Sequence, residues 1–212
     1  MHFDHLPPSH TKYLTDILSI IKDGIATEKE RFKKSDRENL KNQQLSDRFN
    51  QIGTKNEKNW IGVSKENEND NSTNREDIYF YLDDDNRTRI FFAEGKRLPK
   101  AGSNSEEEYV VGMSSTGKPS GGIQRFKLGL HGEPETMTDY AIIGYIEKDS
   151  FSSWQIKINN KLKSEYPADS TLTETPTKES DYISLHNYLS NSKKFKLHHF
   201  WIDWECNLNS VW

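Results

Sequence analysis

The sequence contains a single cysteine, Cys206, which rules out an intramolecular disulfide and any multi-cysteine zinc site. It also lacks a long apolar run. The most apolar early stretch, residues 14–21, is interrupted by Thr15, Asp16 and Ser19, so nothing reads as a signal peptide or a transmembrane span. A cytoplasmic protein with no membrane partner is the expectation. An excess of positive charge is missing too: the net charge of -4 argues against a globally basic coat for nucleic acid. Apolar residues are sparse at 32%, yet five Trp, nine Tyr and ten Phe can fill a core, so wholesale disorder is not expected.

At 212 residues the chain fits one domain. We expect a helical N-terminal part over 1–58, a core sheet with the site over 59–147 and an extension over 148–212. Charge is unevenly spread. Between Asn86 and His131 eight basic residues (Arg87, Arg89, Lys96, Arg97, Lys100, Lys118, Arg125, Lys127) face four acids, which leaves room for a local phosphate-binding cleft.

Apolar positions at helical spacing predict helices over 11–25 (Leu14, Ile17, Leu18, Ile21) and 35–52 (Leu40, Leu45, Phe49, Ile52), the second with Ser35 or Asp36 as N-cap. A short strand is expected at 60–63, then a polar tract over 64–75 read as a flexible insertion. Residues 77–82 (DIYFYL) and 89–93 (RIFFA) flank a turn-forming Asp83-Asp84-Asp85-Asn86 and predict a hairpin. A helix ending near Gly132, a doubly buried strand over 140–146, helices over 152–166 and around 183–189, and a last strand over 195–204 follow. The order points to an α/β domain with a mixed central sheet flanked by helices.

Chemistry concentrates at the end of the second hairpin strand. In Glu94-Gly95-Lys96 the first and third side chains point the same way, and Asp77 opens the partner strand, so a hairpin can bring two carboxylates and a lysine together. An acid and a base closing an apolar strand depart from local consistency in the way functional sites do. Two carboxylates can hold a hard divalent ion, and a lysine can orient water or balance phosphate charge. The bland alternative is a surface ion pair on an edge strand.

With Glu76-Asp77-Ile78 and Glu94-Gly95-Lys96 at these places, residues 35–147 resemble the PD-(D/E)XK, or restriction-endonuclease-like, nuclease superfamily. Glu76 stands where proline is usual. The resemblance implies an αβββαβ core with C-terminal additions, Mg²⁺ or Mn²⁺ held by Asp77, Glu94 and the main chain of Gly95, and Lys96 acting on the attacking water. It also offers Glu38 and Gln124 as further active-site residues, and Arg97, Arg125 and Lys127 as contacts to nucleic acid, DNA rather than RNA. Restriction or anti-phage defence, as a homodimer or a subunit of a larger complex, would fit such a nuclease. The alternative is a catalytically inactive module that binds nucleic acid or protein.

Other signals compete. Residues 112–119 (GMSSTGKP) nearly spell a P-loop for nucleotides, but Pro119 replaces the hydroxyl that should follow the lysine. His198 and His199, with His186, suggest a metal site, although strand neighbours point to opposite faces. Late aromatics such as Tyr182, Tyr188, Trp201, Trp204 and Trp212 could stack on bases, but core packing is the expectation.

Overall fold

The computed structural model describes residues 10–29, 31–33, 36–65, 78–99, 105–132, 134–176, 178–191 and 193–203. Asp77, residues 66–75 of the polar tract, Trp204, Cys206 and Trp212 lie outside the described residues, whereas the tract's first two residues, Ser64 and Lys65, belong to a strand and not to an insertion.

Among the described residues seven strands form one mixed sheet in the order β1-β2-β3-β4-β7-β6-β5, with helices on both faces. The strands are β1 (Ile61–Lys65), β2 (Ile78–Leu82), β3 (Arg89–Leu98), β4 (Asp139–Ile146), β5 (Thr173–Thr175), β6 (Lys178–Asn187) and β7 (Lys194–Asp203). The middle three, β3, β4 and β7, run parallel, and the remaining neighbours pair antiparallel. β4 is buried over nearly its whole length, as a strand covered on both faces must be.

Helices α1 (His10–Glu28) and α2 (Glu38–Lys55) cover one face. Their core side includes Ile17, Ile21, Leu45, Phe49 and Ile52, as the spacing predicts, whereas Leu40 is exposed. The helices touch at Gly24, where a Cβ would lie 2.4 Å from Phe49, so only glycine permits this approach. Of the two expected N-caps of α2, Ser35 lies outside the described residues and Asp36 accepts from the Lys33 N–H instead; the capping position is Arg37, without a side-chain cap.

The other face carries α3 (Ser105–Tyr109), α4 (Gly122–Lys127) and α5 (Phe151–Glu165). α5 begins where Ser150 accepts from the Ser153 N–H, an N-cap that ties down one of the helix's free donors. No helix among the described residues is long and apolar enough to cross a membrane.

Two expectations need correction. The segment around 183–189, read as a helix, belongs mostly to β6: Tyr182, Ser184 and His186 are buried at period two, while Leu185 and Leu189 are exposed. Leu185 and Leu189, four residues apart as on a helix face, are therefore not on the buried side. Secondly, β3 does not stop near Glu94 but runs to Leu98, because β4 pairs with it from Ala93↔Ala141 to Leu98↔Ile146. The hairpin itself forms as predicted, its turn fastened by the Thr88 N–H donating to Asp84.

Candidate active site

Because β3 continues through Lys96, its alternation decides which side chains meet. Phe92, Glu94, Lys96 and Leu98 share the α4 face, and Gly95 and Arg97 turn toward α2. Glu94 is 1% exposed. Lys96 Nζ lies 2.6 Å from Glu94 Oε1, and Arg125, on α4, places Nη1 3.3 Å from the same oxygen. The other oxygen, Oε2, has no hydrogen-bond partner and faces His131 Nε2 at 3.8 Å. Gly122 opens α4 directly over this carboxylate. A Cβ there would sit 3.3 Å from Glu94 Oε2, from Lys96 Cε and from the Tyr109 carbonyl.

Burial alone would raise the Glu94 pKa, but Lys96, His131 and Arg125 overcome it and hold the carboxyl at about 2. His131 contributes only when protonated, and burial pushes its own pKa down to about 4 against the pull of Glu94. Near neutral pH the cluster is thus a carboxylate, two cations and a neutral imidazole. Beside it opens a cleft of about 480 Å³ lined by Lys96, Arg125, Lys118, Ser114, Ser120 and Glu108. Lys96 and Arg125 join the buried carboxylate to that cleft.

Among the described residues, Glu38, Gly95, Arg97, Gln124 and Lys127 do not converge there. Glu38 begins α2 and accepts from the Arg97 N–H at 3.1 Å, on the far face of β3 from the Glu94 side chain. Arg97 makes a bidentate bond to Glu147, which also takes Lys41 Nζ at 3.1 Å. Gly95 packs against Asn42, whose Oδ1 a Cβ would meet at 2.2 Å. Gln124 braces the preceding loop, its Oε1 accepting from the N–H groups of Gly112 and Gly121. Lys127 is the clearest correction: it is 2% exposed, bonded to Asp169 and to the Asn187 carbonyl, and cannot reach nucleic acid.

The near-P-loop is not one in space. It follows α3 rather than a strand, and it closes on itself through a Met113↔Pro119 bridge. Its Gly117 and Lys118 N–H groups are turned inward to Ser114, which leaves no phosphate cradle of that type.

The histidine motif also resolves. His198 pairs with Asp139 at 3.0 Å, while His199 enters a buried chain on the α5 face, so the neighbours do part to opposite sides. In that chain Asp169, an acceptor, takes the His186 Nδ1–H at 2.8 Å, so His186 Nε2 must accept from the Ser184 hydroxyl. Ser184 in turn accepts from His199 Nε2–H, His199 Nδ1 accepts from Tyr109, and Tyr109 accepts from Trp201 Nε1–H. Each donor finds an acceptor in one direction. Tyr182, Tyr188 and Trp201 are buried in the surrounding core, not offered to bases.

His131 escaped the sequence reading. It stands in Gly129-Leu130-His131-Gly132, whose two glycines adopt φ of +68° and +73°, and only that turn signal marks the place. For a divalent ion, the unpartnered Glu94 Oε2 fits, although the described residues hold no group of three or more His, Cys, Asp or Glu placed for a metal. No protein-family model, curated protein or solved structure matches the chain significantly.

Proposed function

We propose that this chain is a metal-dependent nuclease of the PD-(D/E)XK type that hydrolyses phosphodiester bonds, with DNA as the favoured substrate. The observation that carries the reading is the buried Glu94 carboxylate bracketed by Lys96 and Arg125 at the wall of a cleft. Two further features support it. The succession of α2, a β1-β2-β3 meander, the short helices α3 and α4 and a parallel β4 is compatible with an αβββαβ order if α3 and α4 together fill the place of its second helix. Ile78 pairs with Ala93, the residue before Glu94, and Asp77 immediately precedes Ile78 in the chain.

In this reading Glu94 Oε2 and Asp77 would hold Mg²⁺ or Mn²⁺, which supplies Lewis acidity and a water of lowered pKa. The protein's own groups do the rest. Lys96 and Arg125 sit on Oε1, leave Oε2 open, and point their charge at the cleft where a phosphodiester would lie. Specificity would come from a dimer partner or another subunit.

Purified wild type, Asp77→Asn, Glu94→Gln and Lys96→Ala, compared by Mn²⁺ calorimetry and by cleavage of plasmid and single-stranded DNA, test it. Asp77→Asn and Glu94→Gln should lose metal binding and cleavage together. Lys96→Ala should keep the metal and slow cleavage by about a hundredfold or more. Full activity of Glu94→Gln or Lys96→Ala would sink the assignment.

One observation favours a second reading, an inactive nucleic-acid-binding module: Glu94 is already neutralised by two cations. Salt-sensitive DNA binding by a wild type that neither binds Mn²⁺ nor cuts would select it.

A further inference from the structure

We propose that His131 is a metal ligand alongside Glu94, giving the site a nitrogen donor and a preference for Mn²⁺, Co²⁺ or Zn²⁺ over Mg²⁺. The inference goes beyond the nuclease reading and stands on Glu94 and His131, a pair of side chains that reading does not use together.

Three buried polar atoms around one point lack a hydrogen-bond partner: Glu94 Oε2 and both ring nitrogens of His131. Both side chains are 1% exposed, so solvent does not satisfy them. Native interiors rarely leave such groups orphaned, and a cluster of them facing each other marks a place where something else binds.

The spacing is informative as well. At 3.8 Å, Oε2 and Nε2 are too far apart for a hydrogen bond. With metal bonds of about 2.1 Å to each atom, that gap corresponds to a ligand angle of roughly 130°. Closing it to the tetrahedral angle of about 109° brings the atoms together by only about 0.4 Å.

The surroundings suit an ion. Gly122 puts no side chain beside Oε2, and both nearby cations engage Oε1, so the oxygen turned to His131 is the one left open. Phe126, its ring 5.3 Å from the imidazole, helps hold the ring in place. An imidazole donor shifts a carboxylate site from Mg²⁺ toward later divalent metals, which is why the ligand set predicts metal choice.

The test measures binding, not turnover. Wild type, Glu94→Gln, His131→Asn and His131→Gln are titrated with Mn²⁺ and Mg²⁺ by calorimetry and with Co²⁺ by visible absorption, folding being checked by melting. Wild type should bind Mn²⁺ and Co²⁺ more tightly than Mg²⁺. Both His131 variants should lose about tenfold or more in Mn²⁺ and Co²⁺ affinity while Mg²⁺ affinity changes little.

Loss of metal in Glu94→Gln with unchanged Mn²⁺ and Co²⁺ affinity in the His131 variants would overturn the inference and leave the nuclease reading standing. Loss in both, in a chain that cuts no DNA, would uphold the inference and remove the nuclease. A wild type that binds none of these ions overturns it outright. If the His131 variants fail to fold, histidine-ring ¹⁵N NMR of wild type with Zn²⁺ decides: a moved His131 nitrogen supports the ligand, an unmoved one rejects it.

Discussion

The α3-α4-α5 face of the sheet carries two buried polar clusters built from similar residue types, and they differ in how completely they are bonded. From Trp201 through Tyr109, His199, Ser184 and His186 to Asp169, every side-chain donor meets an acceptor, and Lys127 closes the acidic end. Around Glu94, by contrast, one carboxylate oxygen and both nitrogens of His131 have none. A satisfied network rigidifies a core and specifies its packing; a half-satisfied one costs stability and persists where a ligand completes it. The difference separates a scaffold from a site within a single layer.

Breaking the scaffold should give the largest effect on stability. In Lys127→Met the buried Asp169 carboxylate loses its cation, and the cost should be about 3–5 kcal/mol. Urea denaturation measures that loss, while Mn²⁺ affinity of the remaining folded protein should not change. A loss no larger than that of an exposed pair such as Lys193 with Glu135 would show that the chain is not the rigid element argued here.

How far these clusters were legible depended on whether a residue's partners came from its own element. The hairpin, the apolar β4 run and the shared face of Glu94 and Lys96 follow from period-two alternation, and the structure contains all three. β3 read as shorter than it is, because Gly95 and Arg97 carry no apolar signal and their pairing with β4 comes from a distant part of the chain. β6 carries no apolar alternation to mark it as a strand, because its inward positions include Ser184 and His186, polar groups whose partners His199 and Asp169 come from elsewhere in the chain. Grouping Lys127 with Arg125 was avoidable in principle: residues two apart on a helix point about 200° apart, so both could not face one ligand. His131 had no such clue, since its place beside Glu94 arises from tertiary packing.

Interrupting the scaffold at its middle should cost less than removing its charge. Ser184→Ala takes away the hydroxyl that donates to His186 Nε2 and accepts from His199 Nε2–H, leaving two buried ring nitrogens without partners. A loss of about 1–3 kcal/mol is expected in urea titration, again without change in metal affinity. A neutral result would mean that the two imidazoles find other partners.

The same chain sets a pH dependence. Burial lowers the pKa of His186, only partly offset by Asp169, and lowers that of His199 well below its ordinary value of 6.5. The unfolded chain therefore takes up these protons first, so their contribution is fully present above pH 6.5 and is lost as pH falls below it. Asp169 acts in the same sense lower down. Burial opposes it, but His186 and Lys127 hold it at about 2, so its contribution is lost as pH falls from 3.8 toward 2. Urea midpoints should decline from about pH 7.5 to 5 in wild type and more shallowly in His199→Gln. Identical slopes would place the acid sensitivity elsewhere.

The smallest expected effect probes the mouth of the site and not its floor. Lys118 is exposed and lines the cleft together with Lys96 and Arg125. If DNA crosses that cleft, Lys118→Ala removes about one phosphate contact and should flatten the slope of log affinity against log salt by about 0.9 for duplex DNA. Melting should stay within about 0.5 kcal/mol of wild type, because an exposed side chain away from the core has little to lose. Lys193→Ala serves as the control, since its exposed charge is paired with Glu135 outside the cleft. Equal slopes for wild type, Lys118→Ala and Arg125→Ala would mean that nucleic acid does not lie over Glu94. The cations on that carboxylate would then be balancing a buried charge and nothing more, and the contrast between scaffold and site would fail at its functional half.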